Sequence, residues 1–183
     1  VEEFPPAAMR ELALIPDEIP ENEIRKRTDL RDEIIFTIDN DDAKDFDDAV
    51  GIRHTHSGYK LLVSIADVSY YVEIGSGIDN HALERGTSVY MPHMVVPMLP
   101  EKLSNDLCSL VPYKDRLTKT VEMDFNRKGQ MTDFKIYNSV IRSAARLTYS
   151  KVAARLEGTD RVPLEEKQIT EKLFMMKELY DHI

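Results

Sequence analysis

Six aspartates fall within ten residues, Asp39, Asp41, Asp42, Asp45, Asp47 and Asp48, and apolar runs abut the cluster on both sides, IIFTI (34–38) before it and AVGI (49–52) after it. So many ionised carboxylates in one place repel one another, so the cluster must either splay into solvent or collect cations. An apolar strand leading in and another leading out would hold the turn at a fixed place on a sheet, which is how a metal site gains precision. Aspartate is short, and its hard oxygens suit Mg²⁺ or Mn²⁺. Other readings stay open at this point. An EF-hand calcium loop fails on spacing, because Lys44 stands where a glycine is needed and Val50 where a glutamate is needed. A phosphatase-like hydrolase would use Asp39 as its nucleophile. A solvated acidic loop, serving as a metal-binding or interaction module, is the common fate of charge runs.

The pattern around the cluster predicts an α+β fold, mostly antiparallel β-hairpins with flanking helices. PPAAMRELAL (5–14) reads as a helix with prolines at its start, and residues 15–33 as a charged linker. AVGIRH (49–54) and YKLLVSIADV (59–68) flank His-Ser-Gly as a hairpin, with SYYVEI (69–74) continuing the sheet. Residues 78–89 look helical, and 89–99, interrupted by prolines, look like an edge strand or loop. Ser104 is placed to cap a helix running to Leu110. TKTVEMDF and TDFKIYNSVIR form a second hairpin with Gly129 in its turn, and 147–158 form a helix stopped by Gly158. At the end of the chain, Ile169, Leu173, Met176, Tyr180 and Ile183 recur at helical spacing as a core-facing stripe.

Composition narrows the function. The 183 residues are enough for one domain with a hydrophobic core. No apolar run is long enough to span a membrane, and a single cysteine, Cys108, excludes an internal disulfide framework, so a cytoplasmic protein with no membrane partner is expected. The five histidines and Cys108 form no zinc pattern. Net charge is −9, concentrated in residues 1–50, where sixteen acids face six bases; residues 51–150 hold ten acids and twelve bases. A nucleic-acid binder normally needs a basic face, but metal ions collected by carboxylates supply positive charge locally.

Several separated motifs carry a resemblance. T-I-D-x5-D-F-D-D-A (37–49), I-A-D (65–67), Tyr90-Met91-Pro92, PMLPEKLSNDLCSL (97–110) and RLTYSKV (146–152) occur together in this order. The chain from about residue 28 onward resembles the catalytic (RNB) domain of the ribonuclease II/ribonuclease R family, and DAKDFDDA looks closer to the ribonuclease R branch. The resemblance implies a Mg²⁺-dependent, processive 3′→5′ exoribonuclease that releases nucleoside 5′-monophosphates. It implies that Asp39, Asp45, Asp47 and Asp48 are the catalytic, metal-coordinating aspartates, with Asp41 and Asp42 merely solvated. It also implies that Tyr90 and Tyr149 contact the 3′-terminal nucleotides, a task suited to flat rings that stack on any base. Tyr70, Tyr71, Tyr113 and Tyr137 are expected in the core, and the LSNDLCSL segment is expected to serve packing.

The expected organisation is an N-terminal helix and linker over 1–27 and the N-terminal part of an RNB catalytic domain over 28–183. Family members continue into the rest of that domain and carry OB-type RNA-binding domains. The expected partners are therefore the 3′ end of single-stranded RNA and the remainder of a parent polypeptide. By itself the fragment is expected to be inactive and prone to self-association.

Overall fold

The computed structural model describes residues 3–91, 93–160, 163 and 166–183. Helix α1 (Pro6–Leu14) opens with proline in its first turn, where a missing N–H costs nothing. Residues 15–33 are more ordered than a linker: they form a short helix α2 (Glu21–Ile24) and a strand β1 (Thr28–Asp29). The acid-bearing strand β2 (Thr37–Asp39) follows, then β3 (Asp48–His54) and β4 (Gly58–Ala66), paired antiparallel as expected.

After β4 the chain leaves the sheet. SYYVEI does not extend it, because residues Val68–Tyr71 coil into a helical turn, α3, behind the buried side chain of Asp67. Helix α4 (Gly77–Arg85) has its N-terminus capped by the Ser76 hydroxyl. Val89–Met91 and Met94–Val96 form a separate antiparallel ribbon, β5–β6, where a single edge strand or loop was expected; Pro92 lies outside the described residues. Ser104 does not cap a helix. It lies inside a wide helical turn, Lys102–Leu107, whose buried Leu103 and Leu107 anchor it.

Strands β7 (Asp115–Asn126) and β8 (Met131–Arg142) complete the five-stranded sheet, of order β1-β8-β7-β4-β3. Their hairpin turns at Gly129, whose φ of 74° suits glycine and where a Cβ would lie 2.6 Å from the His182 carbonyl. Only β1 joins the sheet in parallel, on β8. Strand β9 (Arg146–Thr148) pairs in parallel with β2, and Thr148 caps helix α5 (Tyr149–Leu156). Helix α6 (Lys167–His182) closes the chain.

Strand alternation divides the core. Ala49, Leu62 and Ala66 face one side, beneath Leu12 of α1, Ile78 of α4 and Leu103, Leu107 and Cys108. Ile52, Tyr59 and Phe125 face the other, beneath Leu179 of α6. Ile35 and Phe36 join opposite cores, so the segment entering the acid turn is wedged between the two layers. Gly51 makes that wedge possible: a Cβ there would lie 2.9 Å from both the Ile34 carbonyl and the Ile35 side chain. Along α6 the buried residues are Ile169, Leu173 and Leu179, with Met176 half-buried; Tyr180 and Ile183 are exposed, and Leu179 instead packs against Ile52, Tyr59 and Phe125. Tyr71 and Tyr137 pack against the core as expected, whereas Tyr70 and Tyr113 are exposed. Tyr113 has a φ of 65°, the conformation of a loop residue.

Candidate functional site

The acid turn is built from pieces distant in sequence. β2 ends at Asp39, β3 begins at Asp48, and the bridge between Phe36 and Val50 draws the two strands together. On its other side β2 pairs with β9, setting Asp39 opposite Thr148. Between these strands the turn is clamped at several points. The Ser109 hydroxyl accepts from Phe46 N–H at 3.1 Å and donates to the Lys44 carbonyl at 3.0 Å, and Leu110 N–H donates to the Phe46 carbonyl. Phe46 itself is a buried wedge. Arg146 donates to the carbonyls of Asn40 and Asp41 at 2.9 and 2.7 Å, with its guanidinium lying 5.3 Å from the Phe46 ring centroid. Ala66 N–H donates to the Asp47 carbonyl.

The side chains held in this way are short of partners. Asp39 Oδ2 is buried and has no hydrogen-bond donor among the described residues. Burial and then the charge of Asp48 push the Asp39 carboxyl above its usual range. Asp47 keeps access to solvent, yet the protein around it displaces enough of its hydration to raise its pKa, and the charges of Asp45 and Asp48 add to that. Asp45 accepts a hydrogen bond from the Tyr90 hydroxyl at 2.6 Å, and this bond is the main reason the phenol is pushed up to about 12. Asp41 takes only long contacts of 3.3 Å from Ser150, and Asp42 is exposed, in keeping with solvated roles.

The four aspartates Asp39, Asp45, Asp47 and Asp48 therefore share one corner and feel one another's charge. Among the described residues, however, no three His, Cys, Asp or Glu side chains are drawn into a closed ligand set. An oxygen-only donor group with a buried, unpartnered carboxylate oxygen and two acids held above their ordinary pKa nonetheless suits a hard divalent cation, which would remove both penalties.

Tyr90 and Tyr149 flank this corner. Tyr90, 64% exposed, reaches it from the β5–β6 ribbon, and Tyr149, 61% exposed, begins α5 one residue past the partner of Asp39. Sequence reasoning did not find the supports, Ser109 and Arg146. For Ser109 a signal existed in the LSNDLCSL segment, whose work is to clamp the turn as well as to pack. No helix among the described residues is long and apolar enough to cross a membrane.

Known proteins share this sequence and fold. The RNB domain family model matches residues 27–183. Ribonuclease R of Aquifex aeolicus (strain VF5) is 49% identical over 178 residues, covering 97% of this chain and 25% of its own length. Mycoplasma genitalium RNase R in complex with double-stranded RNA superposes with a TM-score of 0.91 at 34% identity, over 100% of this chain and 32% of that one. The fold alone extends further, to yeast Ssd1, a pseudonuclease, with a TM-score of 0.75 at 21% identity. The chain thus spans about a quarter of the length of the curated relative it matches. With the sequence match running through the acid turn, both tyrosines and the segment that clamps them, this chain belongs to the RNB domain family.

Proposed function

We propose that the chain is the N-terminal part of the catalytic domain of an exoribonuclease of the ribonuclease R type. The enzyme would digest RNA processively from its 3′ end, with Mg²⁺, to nucleoside 5′-monophosphates. The observation that carries this reading is the clamped turn in which Asp39 keeps a buried, unpartnered carboxylate oxygen beside three further acids. Asp39, Asp45, Asp47 and Asp48 would hold the ions, Mg²⁺ or Mn²⁺. Bound there, the ions would supply Lewis acidity to the scissile phosphodiester and to a water.

The remaining work falls to the chain's own groups. Ser109, Leu110 and Arg146 hold the turn's backbone rigid, so that the carboxylates do not relax away from one another. Tyr90 and Tyr149 present flat, exposed rings on the rim, where they would stack on terminal bases without regard to sequence, at about 1–3 kcal/mol per base. The partners in this reading are the 3′ end of single-stranded RNA and the rest of a longer polypeptide with OB-type RNA-binding domains. Without that remainder the segment would bind RNA poorly. A buried, unpaired Cys108 fits a reducing, cytoplasmic setting. A phosphatase-like role for Asp39 finds no support in the local architecture, since the acid turn leads into β3 rather than a helix.

The test is Asp47→Asn in a full-length protein carrying this segment. Turnover of labelled single-stranded RNA should fall by more than roughly a hundredfold, since even groups that merely support metal ligands cost 10–100-fold. Affinity for the same RNA in EDTA should be retained. Near-normal turnover by the variant would remove the assignment.

A further inference from the structure

Asp45 differs from Asp39 and Asp48 in how it is held. It lies in the turn itself, outside β2 and β3, so no strand pairing fixes it. Its backbone is gripped on both sides by one hydroxyl, because Ser109 Oγ bonds the Lys44 carbonyl before it and the Phe46 N–H after it. That leaves the side-chain torsions free, and the Tyr90 hydroxyl restrains them, donating to Asp45 Oδ2 at 2.6 Å across 45 residues of sequence. The distance is that of a charge-assisted O–H···O⁻ bond, roughly twice as strong as a neutral one.

The ribbon that carries Tyr90 is itself slight. Among the described residues β5 and β6 pair only with each other, and Val89, Met91, Met94 and Val95 are exposed. A two-stranded ribbon is marginal alone, so a bond from the middle of β5 to the acid turn matters at both ends.

We infer that Tyr90 is a positioning residue for Asp45: its hydroxyl fixes the carboxylate that meets a divalent ion and thereby ties the β5–β6 ribbon to the acid turn. This rests on the metal-binding reading proposed above. A carboxylate has lone pairs on both oxygens, so a donor on Oδ2 leaves Oδ1 for an ion. Hydrogen bonds to the outer oxygen of a ligand fix its orientation, and removing them typically costs 10–100-fold in metal affinity. The ring of the same residue remains exposed for a base, so the hydroxyl and the ring perform separable tasks.

The experiment separates them. Mn²⁺ is titrated calorimetrically, without RNA, into a full-length protein carrying this segment, as wild type, Tyr90→Phe and Tyr90→Ala. Affinity for a single-stranded RNA is measured in parallel in EDTA. Tyr90→Phe should weaken Mn²⁺ binding about tenfold while leaving RNA affinity unchanged, and Tyr90→Ala should weaken both. Mn²⁺ affinity in Tyr90→Phe that equals or exceeds wild type overturns the inference, an increase meaning that the phenol competes with the ion. Absence of Mn²⁺ binding by wild type would instead overturn the metal-binding reading on which the inference stands.

Discussion

Asp47 and Asp67 lie at the same end of one strand pair and meet opposite fates. β3 begins just after Asp47, β4 ends just before Asp67, and Ala66 N–H donates to the Asp47 carbonyl between them. Asp67, only 2% exposed, is fully partnered: Arg27, itself 3% exposed, donates at 2.7 Å, Ser69 donates at 2.7 Å, and Lys119 stands at 3.5 Å. Burial works against its charge, but these donors outweigh it and hold the carboxyl below its usual range. Asp47, with no comparable donor among the described residues, is pushed the other way by burial and by the charges of Asp45 and Asp48. One acid welds the N-terminal segment to the sheet, and its neighbour is left unsatisfied. On the function proposed above, a carboxylate kept without a counter-charge marks the site better than acid density does.

The sharpest way to break the comparison is to orphan the satisfied acid. Arg27→Ala leaves Asp67 buried against Ser69 and a distant lysine, and should cost about 3–5 kcal/mol in denaturant unfolding. A loss comparable to that of an exposed ion pair, below about 1 kcal/mol, would mean that the two aspartates differ less than their surroundings suggest.

A smaller effect is expected from adding the ion proposed above. Mg²⁺ at a hundredfold excess over its dissociation constant should stabilise the folded protein by about 2.7 kcal/mol. In Asp47→Asn most of that gain should disappear. A thermal melt with and without the ion reads both, and equal stabilisation of wild type and variant would detach Asp47 from the ion.

The smallest effect is the most diagnostic. In EDTA at neutral pH, Asp47→Asn should raise the melting temperature by a few degrees, because it removes a charge that the fold disfavours. The sign follows from linkage. A raised carboxyl pKa means the native state binds more protons than the unfolded chain, so native stability falls as pH rises above the ordinary aspartate range through the raised pKa. The advantage of the variant should therefore shrink as pH is lowered towards 4. Asp67 follows the opposite rule: its contribution is present above the ordinary aspartate pKa and is lost as pH falls through its depressed one. Melts of Asp47→Asn that track wild type at every pH would erase the distinction.

Much of this contrast could not be read from the chain. The two hairpins were legible because their apolar alternation and turn residues agree, as in the pairing of Val50 with Val63 and the turn at Gly129. The aspartate positions were legible because T-I-D-x5-D-F-D-D-A survives as a local string. The roles of Arg27, Ser109 and Arg146 were not, because they arise from contacts spanning 40, 63 and 106 residues; the LSNDLCSL and RLTYSKV strings mark Ser109 and Arg146 without saying what they touch. The same limit explains α3. Val68–Tyr71 has strand-like residues, yet Asp67 is drawn inward by Arg27 and the chain turns away from the sheet. Tyr180 and Tyr113 show the converse, aromatic residues that look like core until the helix seam and the loop are known.

The parallel pairing of β2 with β9 also sets a timetable. Asp39 acquires its strand neighbour only when Thr148 exists, more than a hundred residues later, whereas both hairpins close from adjacent segments. During synthesis at about 5–20 residues per second, the hairpins can therefore form while the acid-bearing strand still lacks one flank. Closing so long a loop is entropically costly and slow relative to local pairing, so this corner is completed late. A newborn chain thus carries Asp39 beside β3 on a strand whose other flank stays open until β9 arrives.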